Sequence, residues 1–505
     1  MSVTTMRGNP IVGLEALTPE PGQGRPRPWR VAAVIPCFNR KDDLAILLKD
    51  LARQRLPNIE LWCVVVDNAS TDPLSSVSVP PGLRVEFLRS EKNTGGSGGF
   101  NAGTSRVLAG EGLTGTLGPA DFIWWLDSDA RVARSCLYHL VRVLAKRDDL
   151  GAVGSALCDT ATGRIWECGG GINRHNGYVF PARAGDVDHR FLVKADYLAA
   201  CSALVRPDAI RRTGLFPDVF IYYDDVDWCI QMRAKTGLQV RGVPRSRAFH
   251  PPGDRRYAAW GRYYIARNGF SHMTTLGLGA MQRFRRARLE INRAIAQTMM
   301  GLDDLAELHL RGLEDAASGK VDAIEPRHLL KPLGFKPYKD LPQAVAQELA
   351  KAGPNARLYV HPILKSTIAG LEGFREQLPR LNVKWPADRR QWRHRGLGGY
   401  LIHDAKQALS RLLLGYDAHV AVVPTGWPTA WFRAPTLIEI TSEGFLIRNV
   451  KPWTAIRRSI GVWLRGHKVA LRLALRDPGA RPCPPAPTGA GRTVAGAGAS
   501  ACSRS

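Results

Sequence analysis

Two uninterrupted apolar runs, Val31–Pro36 (VAAVIP) and Leu61–Val66 (LWCVVV), bracket a stretch, Asp42–Gln54, whose leucines recur at 44, 47, 48 and 51. Continuous apolar runs of that length suit strands buried on both faces, and helical spacing between them completes a βαβ unit. Val85–Leu88 and Phe122–Leu126 (FIWWL) read as further strands, and Asn101–Ala109 and Ser135–Lys146 as helices. The alternation predicts a doubly wound α/β sheet, with its ligand crevice at the carboxyl ends of the strands. Beyond Gly277 the pattern turns helical and basic, and strand-like runs return only at 420–424 and 436–440. These breaks divide the chain into a mobile leader (1–29), a main α/β domain (30–275), a helical extension (276–350), a smaller α+β region (351–476) and a disordered tail (477–505).

Charge narrows the choice of partner. Lys and Arg outnumber Asp and Glu by 70 to 45, a formal net charge of +25 that favours nucleotides, anionic lipid or nucleic acid. Five arginines (Arg283, Arg285, Arg286, Arg288, Arg293) fall within eleven residues. From Lys451 to Arg476 seven basic residues and no acidic one interleave with Trp453, Ile456, Ile460, Trp463, Leu464, Leu471 and Leu473, the pattern of an amphipathic helix lying on an anionic membrane face. No apolar run approaches the roughly 18 residues of a membrane span, and no secretory leader opens the chain. The nine cysteines are scattered without CxxC pairs, which fits a reducing cytoplasm rather than a disulfide framework. The expected location is therefore the cytoplasm, at the inner face of the plasma membrane.

Three acidic sites follow apolar strands or sit in loops that such a sheet brings together. Asp67, with Asn68, ends the VVVDNAS strand, where a fixed carboxylate can accept from the N–H and O–H groups of a nucleoside or can cap a turn. Asp127 and Asp129 follow FIWWL as a DxD, whose hard oxygens suit Mg²⁺ or Mn²⁺. Asp224 and Asp225 lie in FIYYDDVDW. Adjacent buried carboxylates raise one another's pKa, which suits a general base, although both can also cap the helix that follows. His250, ending RAFH, would add an imidazole to an oxygen site and tilt it toward Mn²⁺. Between the first two sites, NTGGSGGFNAG (93–103) offers Gly96 and Gly98 for close backbone approach to phosphate or sugar at a helix start. Such acidic clusters would repel a nucleic-acid backbone, and no RNA- or DNA-binding signature accompanies the charge, so nucleic-acid binding is set aside.

In order, VIPCFNR, VVDNAS, NTGGSGGFNAG, LDSD, FIYYDDVDW, RAFH and YYIARN resemble family 2 glycosyltransferases of the GT-A fold, and among them the bacterial galactofuranosyltransferases. The resemblance covers about half the chain and implies a GT-A doubly wound mixed sheet, an inverting mechanism and a divalent cation. It implies that Pro36, Arg40, Asp67 and Asn101 line the nucleotide, that Asp127 meets ribose or metal, and that Asp129 and His250 hold the cation. Asp225 would be the base, with Asp224 supporting it. The expected donor is UDP-galactofuranose and the acceptor a lipid-linked or cell-envelope glycan, with dTDP-rhamnose as the alternative donor. Tyr223 stands where the polymerising members carry Trp, and Pro251–Arg256 replaces an acidic acceptor loop, so acceptor identity and the number of sugars added stay open.

Overall fold

The computed structural model describes residues 14–16, 27–55, 57–160, 162–182, 187–250, 261–299, 301–321, 336–360, 418–424, 434–440, 445–449 and 452–475. The apolar runs form strands. In chain order the first part contains β1 (Leu14–Ala16), β2 (Trp29–Cys37), α1 (Lys41–Ala52), β3 (Ile59–Asp67), β4 (Arg84–Arg89), α2 (Gly95–Leu108), α3 (Leu113–Leu117), β5 (Phe122–Leu126), β6 (Arg131–Val132) and α4 (Cys136–Leu144). Then come β7 (Leu150–Cys158), β8 (Ile165–Glu167), β9 (Gly170–Asn173), β10 (Tyr178–Pro181), β11 (Phe191–Ala195), β12 (Ser202–Val205), α5 (Pro207–Thr213), α6 (Asp224–Thr236) and β13 (Gln239–Phe249).

Strand periodicity explains why β2 and β3 have no polar face. Side chains alternate across a strand. Val31, Ala33, Ile35, Leu61, Cys63 and Val65 enter one core, which α1 closes with Leu44, Leu47, Leu48 and Leu51. Ala32, Val34, Trp62 and Val64 enter a second core on the opposite face, which α2 covers with Phe100 and Val107. The sheet runs β1-β11-β13-β7-β12-β5-β2-β3-β4. β2, β3, β4 and β5 are mutually parallel, as are β7 and β13, whereas β12 is antiparallel to both β5 and β7. The expected mixed, doubly wound α/β sheet is what forms.

The glycine-rich segment is helical from Gly95 onward, earlier than the expected start at Asn101. Its glycines let α2 lie on the sheet. A Cβ on Gly99 would sit 2.6 Å from Pro36 Cβ, and one on Gly103 would sit 2.5 Å from Val34 Cγ1.

Leu14–Ala16 corrects the mobile leader at one point, because it pairs antiparallel with β11. The open edge of β11 presents unpaired backbone groups that an extended segment can satisfy. The rest of the leader before residue 27, the 477–505 tail and the Pro251–Arg256 loop lie outside the described residues.

After the sheet come α7 (Gly261–Asn268), α8 (Ser271–Thr275), α9 (Ala280–Met299), α10 (Asp303–Ser318) and α11 (Leu341–Ala352), then β14 (Leu358–Val360), β15 (Val420–Pro424), β16 (Thr436–Ile440), β17 (Phe445–Asn449) and α12 (Pro452–Leu475). The last four strands form a separate sheet in that order, with α11 packed on it through Leu341, Val345 and Leu349.

The basic helices need correction in part. Arg283 and Arg286 of α9 are buried, and Arg286 pairs with Glu290, so these two cannot face a lipid surface. On α12, Val469, Ala470 and Leu473 pack against Ala287 and Ile291 of α9, while Ile460, Trp463, Leu464, Leu471 and Leu475 are exposed. Among the described residues no helix is long and apolar enough to cross a membrane.

Gly103→Leu should destabilise the protein by about 1–3 kcal/mol through overpacking against Val34 and Val66. Urea unfolding would measure it, and an unchanged midpoint would show that α2 can lift off the sheet without loss.

Candidate active site

The sheet order brings the acidic segments to one edge. Asp127 and Asp129 follow β5, and His250 follows β13, where its N–H donates to Cys158 O at 3.0 Å. Because β12 is antiparallel with Ser202 opposite Leu126, the residues just before it arrive at the same edge. There the Asp127 N–H donates to Cys201 O at 3.2 Å, and the Ala200 N–H donates to Asp225 Oδ2 at 3.1 Å. Two neighbouring peptide units therefore tie the DxD segment to the double-Asp segment.

The side chains converge. His250 Nε2 lies 3.3 Å from Asp129 Oδ1, and Arg40 Nη1 lies 3.1 Å from Asp129 Oδ2. Donor atoms of Asp127, Cys201 and His250 all lie within 4.8 Å of one another. Burial, together with the Asp129 charge, pushes the Asp127 carboxyl up to about 6. Burial also works against the Asp129 charge, but His250 and Arg40 outweigh it and hold that carboxyl below its ordinary value. Asp225 is raised by burial even though its oxygens accept from the Ala200 and Val226 N–H groups, and Asp224 is raised further by burial and by the Asp225 charge. Glu167, on β8, is pushed to about 8 by burial and by Asp225, and hydrogen-bonds to Tyr197.

Several residues expected at the nucleotide are engaged within the fold. Asp67 accepts from the Ser70 N–H at 2.8 Å, the Leu74 N–H at 3.2 Å and the Arg89 guanidinium, so it secures a turn. Asn68 donates to Gly95 O at 2.8 Å and accepts from Thr94 N–H at 3.0 Å, pinning the start of α2. Asn101 donates to Phe216 O and accepts from Phe216 N–H, both at 2.9 Å. Pro36 lies under Gly99, Gly98 lies against the Thr94 side chain, and a Cβ on Gly96 would lie 3.9 Å from Phe220 O and from Ile221 Cγ1. Of the residues expected to bind the donor, Arg40 and Asp127 stand at the crevice with Asp129 and His250.

The double-Asp segment is held in an unusual backbone shape. Phe220, Tyr222 and Tyr223 all have positive φ (71°, 64° and 69°), a region that costs L-residues of order 1–3 kcal/mol each. Its carbonyls are claimed by α7. Asn268 Nδ2 donates to Val219 O (3.2 Å), Ile221 O (2.8 Å) and Tyr222 O (3.0 Å), and Arg267 Nη2 donates to Val219 O at 2.8 Å. From α2, the Ser97 N–H donates to Phe220 O at 3.2 Å, and Gly95 can approach Phe220 only because it lacks a Cβ. Tyr223 stacks on His272 at 5.6 Å and accepts from Arg286 Nη2 at 3.2 Å. Glu167, Cys201, Arg267, Asn268 and His272 have no assigned role in the sequence reading, and Arg286 was expected on a lipid-facing basic helix rather than at the turn. The YYIARN motif was the available signal for Arg267 and Asn268.

A crevice of largely buried carboxylates with one imidazole and one guanidinium can hold a divalent cation and the polar groups of an anionic ligand. Residues 32–186 match the family described as "Glycosyl transferase family 2". Galactofuranosyltransferase GlfT1 of Mycolicibacterium smegmatis is 26% identical over 240 residues, 44% of this chain and 71% of that protein. The GlfT1 of Mycobacterium tuberculosis is 30% identical over 132 residues, 26% of this chain and 40% of that protein. Over residues 32–186 the chain carries a glycosyltransferase family 2 domain, and it is a glycosyltransferase. Among solved structures, the mannosyltransferase PcManGT from Pyrobaculum calidifontis, in complex with GDP-Man and Mn²⁺, overlaps 65% of this chain and 82% of its own at 18% identity and TM-score 0.37. S. aureus TarS in complex with UDP-GlcNAc overlaps 57% and 81% at 15% identity and TM-score 0.38.

Asn268→Ala leaves three carbonyls without this donor and should cost about 1–3 kcal/mol in urea unfolding, with loss of transfer at temperatures where the protein stays folded. Full activity would show that the turn holds itself. Burial lowers the His272 imidazole to about 4. A group whose folded pKa lies below its unfolded value of about 6.5 contributes its full stability above pH 6.5 and loses it as the pH falls toward 4, roughly 3 kcal/mol in all. Thermal melts from pH 7.5 to 4.5 should show this slope, and His272→Asn should flatten it.

Proposed function

We propose that this protein is an inverting galactofuranosyltransferase, moving the sugar of UDP-galactofuranose onto a glycan or glycolipid acceptor. The observation that carries the mechanism is Asp225. It is a half-buried carboxylate fixed by two backbone N–H groups, joined through Ala200 and Cys201 to the crevice wall that bears Asp127. A carboxylate raised above its ordinary value, yet held rigidly, is suited to take the proton of an acceptor hydroxyl as that oxygen attacks the anomeric carbon. The nucleoside diphosphate leaves from the opposite side, so configuration inverts in one displacement. Asp224, raised further by burial and the Asp225 charge, lies beside it and would contact the acceptor sugar. Arg40, exposed at the rim beside Asp129, offers the guanidinium nearest the incoming diphosphate.

The residues fit a divalent cation, Mn²⁺ or Mg²⁺. Asp127, its carboxyl raised to about 6 by burial and the Asp129 charge and only partly offset by His250, lies beside Asp129 and His250. Asp127, Asp129 and His250 would hold the ion, whose charge would offset that of the diphosphate. The sequence similarity to GlfT1 supports the choice of sugar. We further assign the exposed apolar and basic residues of α12, among them Ile460, Trp463, Leu464, Arg457, Arg458 and Lys468, to contact with anionic membrane at the cytoplasmic face, where a lipid-linked acceptor would be met.

Calorimetric titration with UDP, UDP-galactofuranose and dTDP-rhamnose, each with Mn²⁺ or EDTA, tests the donor. Metal-dependent binding of the uridine compounds alone is expected, whereas preference for the dTDP sugar would replace the assigned reaction. Asp225→Asn should lower turnover by about 10²–10⁴-fold while leaving donor affinity within about threefold, because only proton acceptance is removed. Normal turnover would remove Asp225 from the role. Trp463→Glu should weaken flotation with anionic liposomes, and flotation unaffected by it and by salt would end the membrane assignment.

A further inference from the structure

Three strand ends that are remote in sequence deliver Asp127, Cys201 and His250 to one point, and among the described residues this is the one cluster of three side chains spaced to share an ion. Cys201 is buried, has no disulfide partner, and its thiol hydrogen-bonds to the Asp127 carboxylate. Other buried cysteines sit differently. Cys136 lies against the hydroxyls of Ser155 and Ser246, and Cys63 is surrounded by apolar core.

We propose that Cys201 is a ligand of the cation site, making it a mixed oxygen, nitrogen and sulfur site that favours Mn²⁺, Zn²⁺ or Cd²⁺ over Mg²⁺. The proposal rests on the metal-dependent reading above and adds a donor to it. Ligand atoms on one ion with bonds of about 2.1–2.3 Å lie about 3.6 Å apart in a tetrahedral site and up to about 4.4 Å across an octahedral one, so atoms within 4.8 Å of one another close on an ion by side-chain adjustment. Two carboxylates and an imidazole do not strongly separate Mn²⁺ from Mg²⁺, whereas a thiolate does, because soft sulfur binds the softer ion and Mg²⁺ requires hard oxygen. Coordination releases the thiol proton to solvent, and nothing is oxidised or reduced. Backbone geometry supports the assignment, since the Cys201 carbonyl accepts from the Asp127 N–H and so holds the two residues in register.

The test uses the full chain, wild type and Cys201→Ser, titrated with Cd²⁺ and followed by the ultraviolet cadmium–thiolate charge-transfer band, with Mn²⁺ binding read separately by electron paramagnetic resonance. The wild type should develop the band at one equivalent. Cys201→Ser should lose it, keep Mn²⁺ affinity within about tenfold, and bind Cd²⁺ in preference to Mg²⁺ at least about tenfold less well. Asp127→Asn, whose thiol is intact, should lose the band as well, which guards against a serine variant that fails to fold. Mn²⁺ binding without a band in the wild type, or a band that survives in Cys201→Ser, would overturn the thiol ligand alone. Failure of the wild type to bind either ion would overturn the metal-dependent reading with it.

Discussion

Repulsion among the carboxylates of Asp127, Asp129, Asp224, Asp225 and Glu167 is the constraint around which the crevice is arranged. Burial leaves little water to screen these charges, so they are offset by a proton, a cation or a backbone N–H. The structure uses a different device for each. Asp129 is charged because His250 and Arg40 face it, Asp225 is steadied by two peptide N–H groups, and Asp127 and Glu167 have their protons held more tightly. The separation of roles follows from this. Asp129 is met by cationic side chains, whereas Asp225 is met by peptide N–H groups.

That separation needs a rigid wall. It is built by the strained turn at Phe220–Tyr223, whose cost is offset by donors from two helices on different sides. α2 brings Ser97 and the bare backbone of Gly95, and α7 brings Arg267 and Asn268. Gly95, Gly99 and Gly103 of the glycine-rich segment serve close packing of helix on turn and helix on sheet. Asn68 and Asn101 serve the same end, each replacing a backbone partner for a segment that has no ladder of its own.

Behind the turn, the helical layer extends the same electrostatic logic into the core. Arg286 is fully buried between Tyr223 and Glu290, and Glu290 in turn meets His309 and Arg293. A buried guanidinium is tolerated only with such company, because removing one partner strands the other in a low-dielectric site. The consequence for function is mechanical: α9 and α10 reach the double-Asp turn through Tyr223, so the helices beyond the sheet are part of what holds the crevice in shape. The exposed face of α12 lies on the far side of this layer, its inner face packed on α9.

Much of the architecture was legible because burial writes itself into periodicity. Runs such as VAAVIP and LWCVVV can only be strands covered on both sides, and the leucines between them can only be a helix on one of those faces. The DxD and double-Asp segments were legible as acidic motifs, and the sheet order brings both to one edge. Spatial pairing was not legible, because it depends on strand order and direction. The antiparallel insertion of β12 is what carries Cys201 against Asp127 and Ala200 against Asp225, and no local pattern marks either residue. The same holds for Asp67, Asn68 and Asn101. Sequence set their polarity and their place after a strand or on a helix, but only the fold decided whether their hydrogen bonds were left open to a ligand or consumed by neighbouring backbone, because that outcome turns on distances of a few tenths of an ångström between segments far apart in the chain.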